Sequence, residues 1–447
     1  MMKLLLTLFM YNLFSFFFNQ YKMFNYMILI IMMNILFKLN YINLFNYMYL
    51  SFMTDSLNLF LIMLILWTIL LAFQSNFSFL NNKNKLNFHF TIMFMMLFLM
   101  MFFFSMNLLY FYIFFECSMI PIMLIIMGWG NQIDRIQALM YMLFYTLFGS
   151  LPLILIIFII NFNYFSMMMN MLIYYMNLMN IMNNLFIYLF MILGFLIKIP
   201  LYCMHLWLPK AHVESPISGS MILASIMLKL GTYGFLRLML TFKKLFSNFN
   251  KIIMPLLIWG TIMSCIVTIN INDLKIINAY SSIIHMNSMM FSMLTNSYWS
   301  LFSSKLMMLS HGLCSSAIFC LINFYYERLN SRNIIIIKGL TNFSPIMSLW
   351  WFLFCMSNIS APPSLNFFSE IMLIISMLIY SKLNMILIML MIFLSSLIYI
   401  YFYSISQHNN MYMYMYNMKN FSKREYLINF NHFLPIMFMI MFFNLFF

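Results

Sequence analysis

The sequence predicts an all-α polytopic membrane protein of about fourteen transmembrane helices. Three observations predict it. Hydrophobic residues fill 65% of the 447 positions and charged residues only 7%, against about 25% charged in ordinary soluble domains. The apolar residues are gathered into runs near the length of about 20 residues that a helix needs to cross the hydrocarbon core. Two of those runs, 185–206 and 345–374, are interrupted by the stretches Lys198-Ile199-Pro200 and Ser360-Ala361-Pro362-Pro363-Ser364.

The runs fall near 2–20, 23–37, 51–74, 88–104, 108–127, 136–160, 185–206, 215–240, 252–271, 274–296, 299–324, 345–374, 382–405 and 427–446. The second is the shortest. The first reads as the first span, with no cleavable leader pattern at Met1. Residues 161–184, rich in Asn and Met, read as a linker near the interface. Basic residues punctuate alternate loops: Lys83 and Lys85, Arg135, Lys210, Lys275, Arg328, Arg332 and Lys338, then Lys419, Lys423 and Arg424. The positive-inside rule puts these on one side, the matrix if the membrane is mitochondrial, with Lys243, Lys244 and Lys251 as exceptions. The formal charge of +14 is thereby topogenic, and no nucleic-acid partner is expected.

Composition excludes several functions. Cys117, Cys203, Cys265, Cys314, Cys320 and Cys355 all lie in apolar runs and form no CxxC pair, which argues against disulfides and iron–sulfur ligation. No G-x-G-x-x-G or Walker stretch occurs among the ten glycines, so no nucleotide site is expected. Cys203, His205, His212 and Glu214 lie close together, but their spacing fits no zinc pattern and Pro209 and Pro216 interrupt them. The surplus of Met and Phe, 55 and 54 residues, with few Gly, points to mutational bias in an AT-rich organellar genome and hence to a mitochondrial gene product.

The interrupted runs contain Lys198-Ile199-Pro200 and Ser360-Ala361-Pro362-Pro363-Ser364. Broken helices at matching positions of two halves point to an inverted-repeat transporter; two ordinary proline kinks are the plainer alternative. Glu116, Lys198, Lys229 and Glu370 lie within the runs. Each charge at the bilayer centre costs about 2.5–3.5 kcal/mol. Four unpaired charges together would rival a protein's net stability of about 5–15 kcal/mol. They are therefore expected to face the bundle interior, paired or hydrated, although snorkelling to the headgroups is open to those near an end. Ser218, Ser225, Lys229 and Thr232 repeat at helical spacing, as do Asn278, Ser281, His285, Ser288 and Ser292, and Ser304, His311 and Ser315. A lone membrane histidine is often only a helix–helix hydrogen-bond donor. Two of them, His285 and His311, in polar stripes on neighbouring spans favour a hydrated path. Glu116 with Lys198 is the natural ion-pair candidate, worth about 4 kcal/mol at 4 Å and an effective dielectric of 20.

Longer stretches carry a resemblance. Phe115-Glu116-Cys117-Ser118-Met119-Ile120-Pro121, Gly128-Trp129-Gly130 and HLWLPKAHVESPISGSMILASIMLKLGTYG (205–234) resemble the chain 4 family of mitochondrial NADH:ubiquinone oxidoreductase, respiratory complex I, of insect type. So do NDLKIINAYSSIIHM (272–286), SHGLCSSAIFCLINFYYERLNSR (310–332) and SAPPSLNFFSEI (360–371), while the first hundred residues match only in pattern. The resemblance implies an antiporter-like subunit with two inverted five-helix repeats and broken helices 7 and 12. It divides the chain into N-terminal helices over 1–104, a first half over 105–240, a second half over 241–405, and a C-terminal loop and last helix over 406–447. It implies proton translocation through Glu116, Lys198, Lys229, His285, His311 and Glu370. NADH, FMN, iron–sulfur clusters and ubiquinone are handled by other subunits. The implied partners are chains 2 and 5, accessory subunits and lipids such as cardiolipin. Ser215, Ser225, Thr232, Asn287, Ser369 and Lys305 depart from the family's usual residues without removing a proposed carrier. A stand-alone cation/proton antiporter subunit and a purely structural scaffold are the competing readings.

Overall fold

The computed structural model describes residues 32, 47–49, 51–76, 85–130, 132–178, 184–408 and 419–441. The first two apolar runs and Lys83 lie outside these residues, apart from Met32. Every later run contains a helix or a broken helix pair. In chain order these are α1 (Ser56–Ser75), α2 (Lys85–Phe104) and α3 (Leu108–Trp129, turning at Ser118). Next come α4 (Arg135–Tyr164), α5 (Met169–Leu178), α6 (Leu185–Lys198), α7 (Trp207–Glu214) and α8 (Ile217–Thr241). The remainder are α9 (Lys243–Ile269), α10 (Leu274–Leu294), α11 (Tyr298–Leu329), α12 (Pro345–Asn358), α13 (Leu365–Tyr380), α14 (Met385–Gln407) and α15 (Lys423–Met441).

Two expectations are corrected, and one small element is added. The stretch 161–184 is not a plain linker, because α4 runs on to Tyr164 and α5 occupies Met169–Leu178. The run placed at 252–271 begins nine residues earlier, at Lys243. A small antiparallel hairpin, β1 (Tyr47–Tyr49) with β2 (Phe52–Thr54), precedes α1. Apolar content marks where a span crosses, but a helix continues into the interface wherever its backbone can still hydrogen-bond.

Among the described residues, eight helices are long and apolar enough to cross a membrane. Of these, α8 and α11 are almost wholly covered, 94% and 100% buried over their most apolar stretch, whereas α4 and α14 are only 39% and 28% buried. The bundle therefore has central helices and peripheral ones whose outer faces meet lipid. α10 is not among the eight, because Asn278, Ser281, Ser282, His285, Asn287, Ser288 and Ser292 dilute its apolar content. It is nonetheless buried nearly throughout, so its polar residues face protein.

The close crossing of α4 and α6 is set by glycine. A Cβ on Gly149 would meet the Gly194 Cα at 2.9 Å and the Leu193 carbonyl oxygen at 3.2 Å. Small residues at such crossings let membrane helices approach closely.

The basic loops gather at one end. Arg332 Nη1 donates to the Val213 carbonyl at 2.9 Å, Lys275 Nζ to Ser215 O at 3.3 Å and Arg135 Nη1 to Gly130 O at 3.4 Å. Arg328 pairs with Glu425 at 2.7 Å. Lys243 and Lys244 follow the opposite end of α8. That end is tied by Arg237, which pairs with Asp55 and donates to Asn58 Oδ1 at 2.7 Å and to the Tyr233 hydroxyl at 2.9 Å.

Candidate functional site

Both proline-marked runs are broken helices. α6 stops at Lys198, where Pro200 lacks the N–H that would continue the ladder. The Trp207 indole, at the start of α7, donates to the freed Ile197 carbonyl at 3.0 Å and stitches the halves together. α12 stops at Asn358, and Ser360 takes a left-handed conformation (φ 63°) before Pro362 and Pro363. Asn366 Nδ2 spans this break to the Ser357 carbonyl at 2.8 Å. Proline alone does not break a helix here, since Pro152, Pro255 and Pro435 sit inside continuous ones.

The two central helices, α8 and α11, bring Lys229 and His311 together. α8 contains a π-helical stretch at Leu223–Met227, immediately before Lys229. Single π turns recur at functional sites because they disturb the regular ladder. The Lys229 ammonium turns back onto it, donating to the Ala224 carbonyl at 2.6 Å, and stands 3.1 Å from His311 Nδ1. When Lys229 is protonated it can only donate, and His311 Nδ1 then accepts. Gly312 makes the approach possible, because a Cβ there would lie 2.7 Å from Leu64 and 3.2 Å from the Ser225 carbonyl.

The row continues from His311. Its ring centroid lies 5.6 Å from that of His285, so the two imidazoles are direct neighbours. His285 Nδ1 is 3.3 Å from Glu370 Oε1, and Ser360 Oγ, in the break, donates to Glu370 Oε2 at 2.5 Å. Beside Glu370 is a cavity of about 40 Å³, bounded in part by His285, Ser288 and Ser395 between α10, α13 and α14. A buried water needs about 10–15 Å³, so water fits here. At the basic end a larger recess of about 320 Å³ is lined by Gln132, Asp273, Arg332 and Asn333 among others. Lys229, His311, His285 and Glu370 thus form a connected row across four helices. The Lys229 side chain is fully buried, and Lys198, His285 and His311 nearly so.

Glu116 and Lys198 are brought near each other, but not as an ion pair. The Lys198 ammonium donates to the carbonyl of Phe115 at 2.7 Å and lies 3.1 Å from the centre of that residue's ring. Glu116 Oε1 has no hydrogen-bond partner among the described residues. The direct contact expected between them is therefore replaced by one with the neighbouring residue. The physical reason is that a backbone carbonyl and an aromatic face both satisfy an ammonium without burying a second charge. Lys198 reaches the row through α8: a Cβ on Gly231, two residues past Lys229, would meet Lys198 Cβ at 3.2 Å.

Several participants escaped the sequence reading. Tyr399 stacks 6.0 Å from His285, yet looks like any interfacial tyrosine in the sequence. Asp55 and Arg237 carried a usable signal, being charges inside the runs 51–74 and 215–240. Of the departures, Thr232 donates to the Lys229 carbonyl at 3.1 Å, while the buried Asn287 amide has no partner among the described residues. Among those residues no three His, Cys, Asp or Glu side chains stand close enough to hold a metal.

Broken helices and titratable groups set inside a helical membrane bundle are the features of ion- and proton-translocating membrane subunits. The chain belongs to the NADH:quinone oxidoreductase/Mrp antiporter transmembrane family, whose model matches residues 105–397. It is 43% identical over 335 residues to NADH-ubiquinone oxidoreductase chain 4 of Ceratitis capitata, covering 74% of each chain. The chain 4 proteins of Rhipicephalus sanguineus (41% identical, 74% of each chain) and Apis mellifera ligustica (44%, 73% of this chain and 71% of that one) are similar. In fold it matches a chain of respiratory complex I from Thermus thermophilus with bound NADH, at a TM-score of 0.80 and 20% identity, over 88% of this chain and 84% of that one.

Proposed function

We propose that Lys229, His311, His285 and Glu370 form the proton-carrying row of this subunit, with Glu116 and Lys198 as the charge-coupled element that sets its state. The chain is a proton-translocating, multi-pass subunit of complex I in the mitochondrial inner membrane, and it associates with other subunits of that complex. The observation that carries the proton-path reading is the row itself. Four titratable groups on four helices stand as successive neighbours, where a bilayer makes each of them expensive.

The direction of flow follows from the ends. The basic end, with its Arg332-lined recess, is the matrix side by the positive-inside rule. The cavity beside Glu370 is the outlet. A carboxylate beside Lys198 stabilises its ammonium, and withdrawing that charge releases the proton. Closing and opening the Glu116–Lys198 gap is therefore a switch on the row. The two halves, 105–240 and 241–405, divide the work accordingly: the first holds the switch and Lys229, the second the histidines and Glu370. The oxidation of NADH and reduction of ubiquinone, with FMN and the iron–sulfur clusters, take place in other subunits. Chains 2 and 5, accessory subunits and lipids such as cardiolipin are the neighbours this reading implies.

The test is pumping in reconstituted vesicles. Glu116→Gln or Lys229→Ala abolishes most proton pumping coupled to quinone reduction while the complex still assembles. Full stoichiometry in either variant at normal assembly would contradict the reading. A scaffold role makes both substitutions harmless or stabilising. A stand-alone antiporter subunit does not co-purify with flavin and iron–sulfur subunits on a native gel.

A further inference from the structure

The last helix carries a buried polar face that the row does not use. Glu425, Asn429 and His432 are spaced four and three residues apart, so they share one side of α15. Each is no more than 3% exposed. Glu425 is anchored at the basic end, where Arg328 Nη2 reaches its two oxygens at 3.0 and 2.7 Å. Asn429 Nδ2 lies 3.5 Å from Met347 Sδ, and the His432 ring 6.5 Å from that of Phe354. Met347, Phe354 and Asn358 form one stripe of α12 by the same spacing. The polar face of α15 therefore follows that stripe to Asn358, where the helix breaks.

The break passes the trail on. Asn366 Nδ2 binds the Ser357 carbonyl at 2.8 Å and approaches Cys314 Sγ at 3.6 Å. Ser360 N donates to Ser357 O at 3.3 Å, and Ser360 Oγ holds Glu370. Along this line, Asn429 Oδ1, both ring nitrogens of His432, both amide atoms of Asn358 and Asn366 Oδ1 have no partner among the described residues. A buried polar atom left unpaired costs about 1–3 kcal/mol. A folded membrane bundle does not carry a whole file of them dry. One buried water satisfies two to four such groups.

We propose that the interface of α15 with α12 and α13 holds a file of bound water. It joins the Arg328–Glu425 end to the break beside Glu370 and gives the second half a proton route independent of Lys229. His432 is its titratable member, taking a proton at one ring nitrogen and releasing one from the other. The water file stands on geometry alone, while its role in pumping rests on the proposed function above.

Two measurements test it. A map of the whole complex that resolves ordered water will show density within hydrogen-bonding distance of His432 and Asn358. A dry interface, or direct pairing of those side chains, overturns the proposal. In assembled complex, His432→Leu lowers the protons moved per NADH, and His432→Gln, which can still bind water, falls between Leu and wild type. Wild-type stoichiometry in His432→Leu at normal assembly overturns the transport role. If His432→Leu does not assemble, the water map of the wild-type complex decides. Full pumping by Lys229→Ala would sink the main row yet leave this file standing, so the two failures are distinguishable.

Discussion

The two parts of the polar axis are built differently. From Lys229 to Glu370 each titratable group neighbours the next, at 3.1 Å, then a 5.6 Å ring separation, then 3.3 Å. Between Glu116 and Lys198 there is no ion pair; the lysine is held by Phe115, the residue next to its expected partner. Under the proposed function the first part conducts and the second, whose contact is left open, switches. A pump needs both kinds of element, since a path connected throughout would leak. The open contact belongs where the path is switched, and the closed contacts where it only conducts.

The largest expected effect comes from cutting the conductor. Lys229→Ala removes the donor to His311 and empties the π turn, and pumping stoichiometry in vesicles drops most strongly. Glu370→Gln removes the terminal carrier but keeps the Ser360 contact. It lowers pumping while NADH-driven quinone reduction continues, which parallel electron and proton assays separate. A smaller change comes from loosening the carboxylate. Ser360→Ala deletes one charge-assisted hydrogen bond, worth about 1.5–3 kcal/mol, and slows turnover without abolishing it. Gly231→Ala presses a methyl against Lys198 and Ile199. It disturbs the switch more than the conductor, so it alters coupling before it alters assembly. Last, Arg237→Met leaves Asp55 without its ion-pair partner, while Asn58 keeps the Tyr233 hydroxyl at 2.8 Å. The pair is partly exposed, so a loss of about 1–3 kcal/mol in bundle stability is expected, read as lower thermal resistance with pumping per assembled complex unchanged. An equal loss of pumping there would erase the distinction between conductor and frame.

The sequence made the members of the axis legible because a bilayer penalises them. Glu116, Lys198, Lys229 and Glu370 stood out as charges in apolar runs, and His285 and His311 as parts of polar stripes. The breaks were legible from proline together with a neighbouring charge. What stayed hidden depends on geometry finer than helical spacing. The π turn at Leu223–Met227 has no proline or glycine within it to announce it. The choice of Phe115 carbonyl over Glu116 turns on a single residue of register. The buried face of α15 reads as one more apolar run until both ring nitrogens of His432 and the Asn429 amide oxygen are seen to have no hydrogen-bond partner among the described residues.

The central claim is that the Lys229–His311–His285–Glu370 row is the proton conductor. The most direct test is the number of protons moved per NADH by assembled complex carrying His311→Leu, the substitution at the middle of the row. The account predicts a clear fall in stoichiometry with the flavin and quinone reactions intact. Unchanged stoichiometry at normal assembly would contradict it.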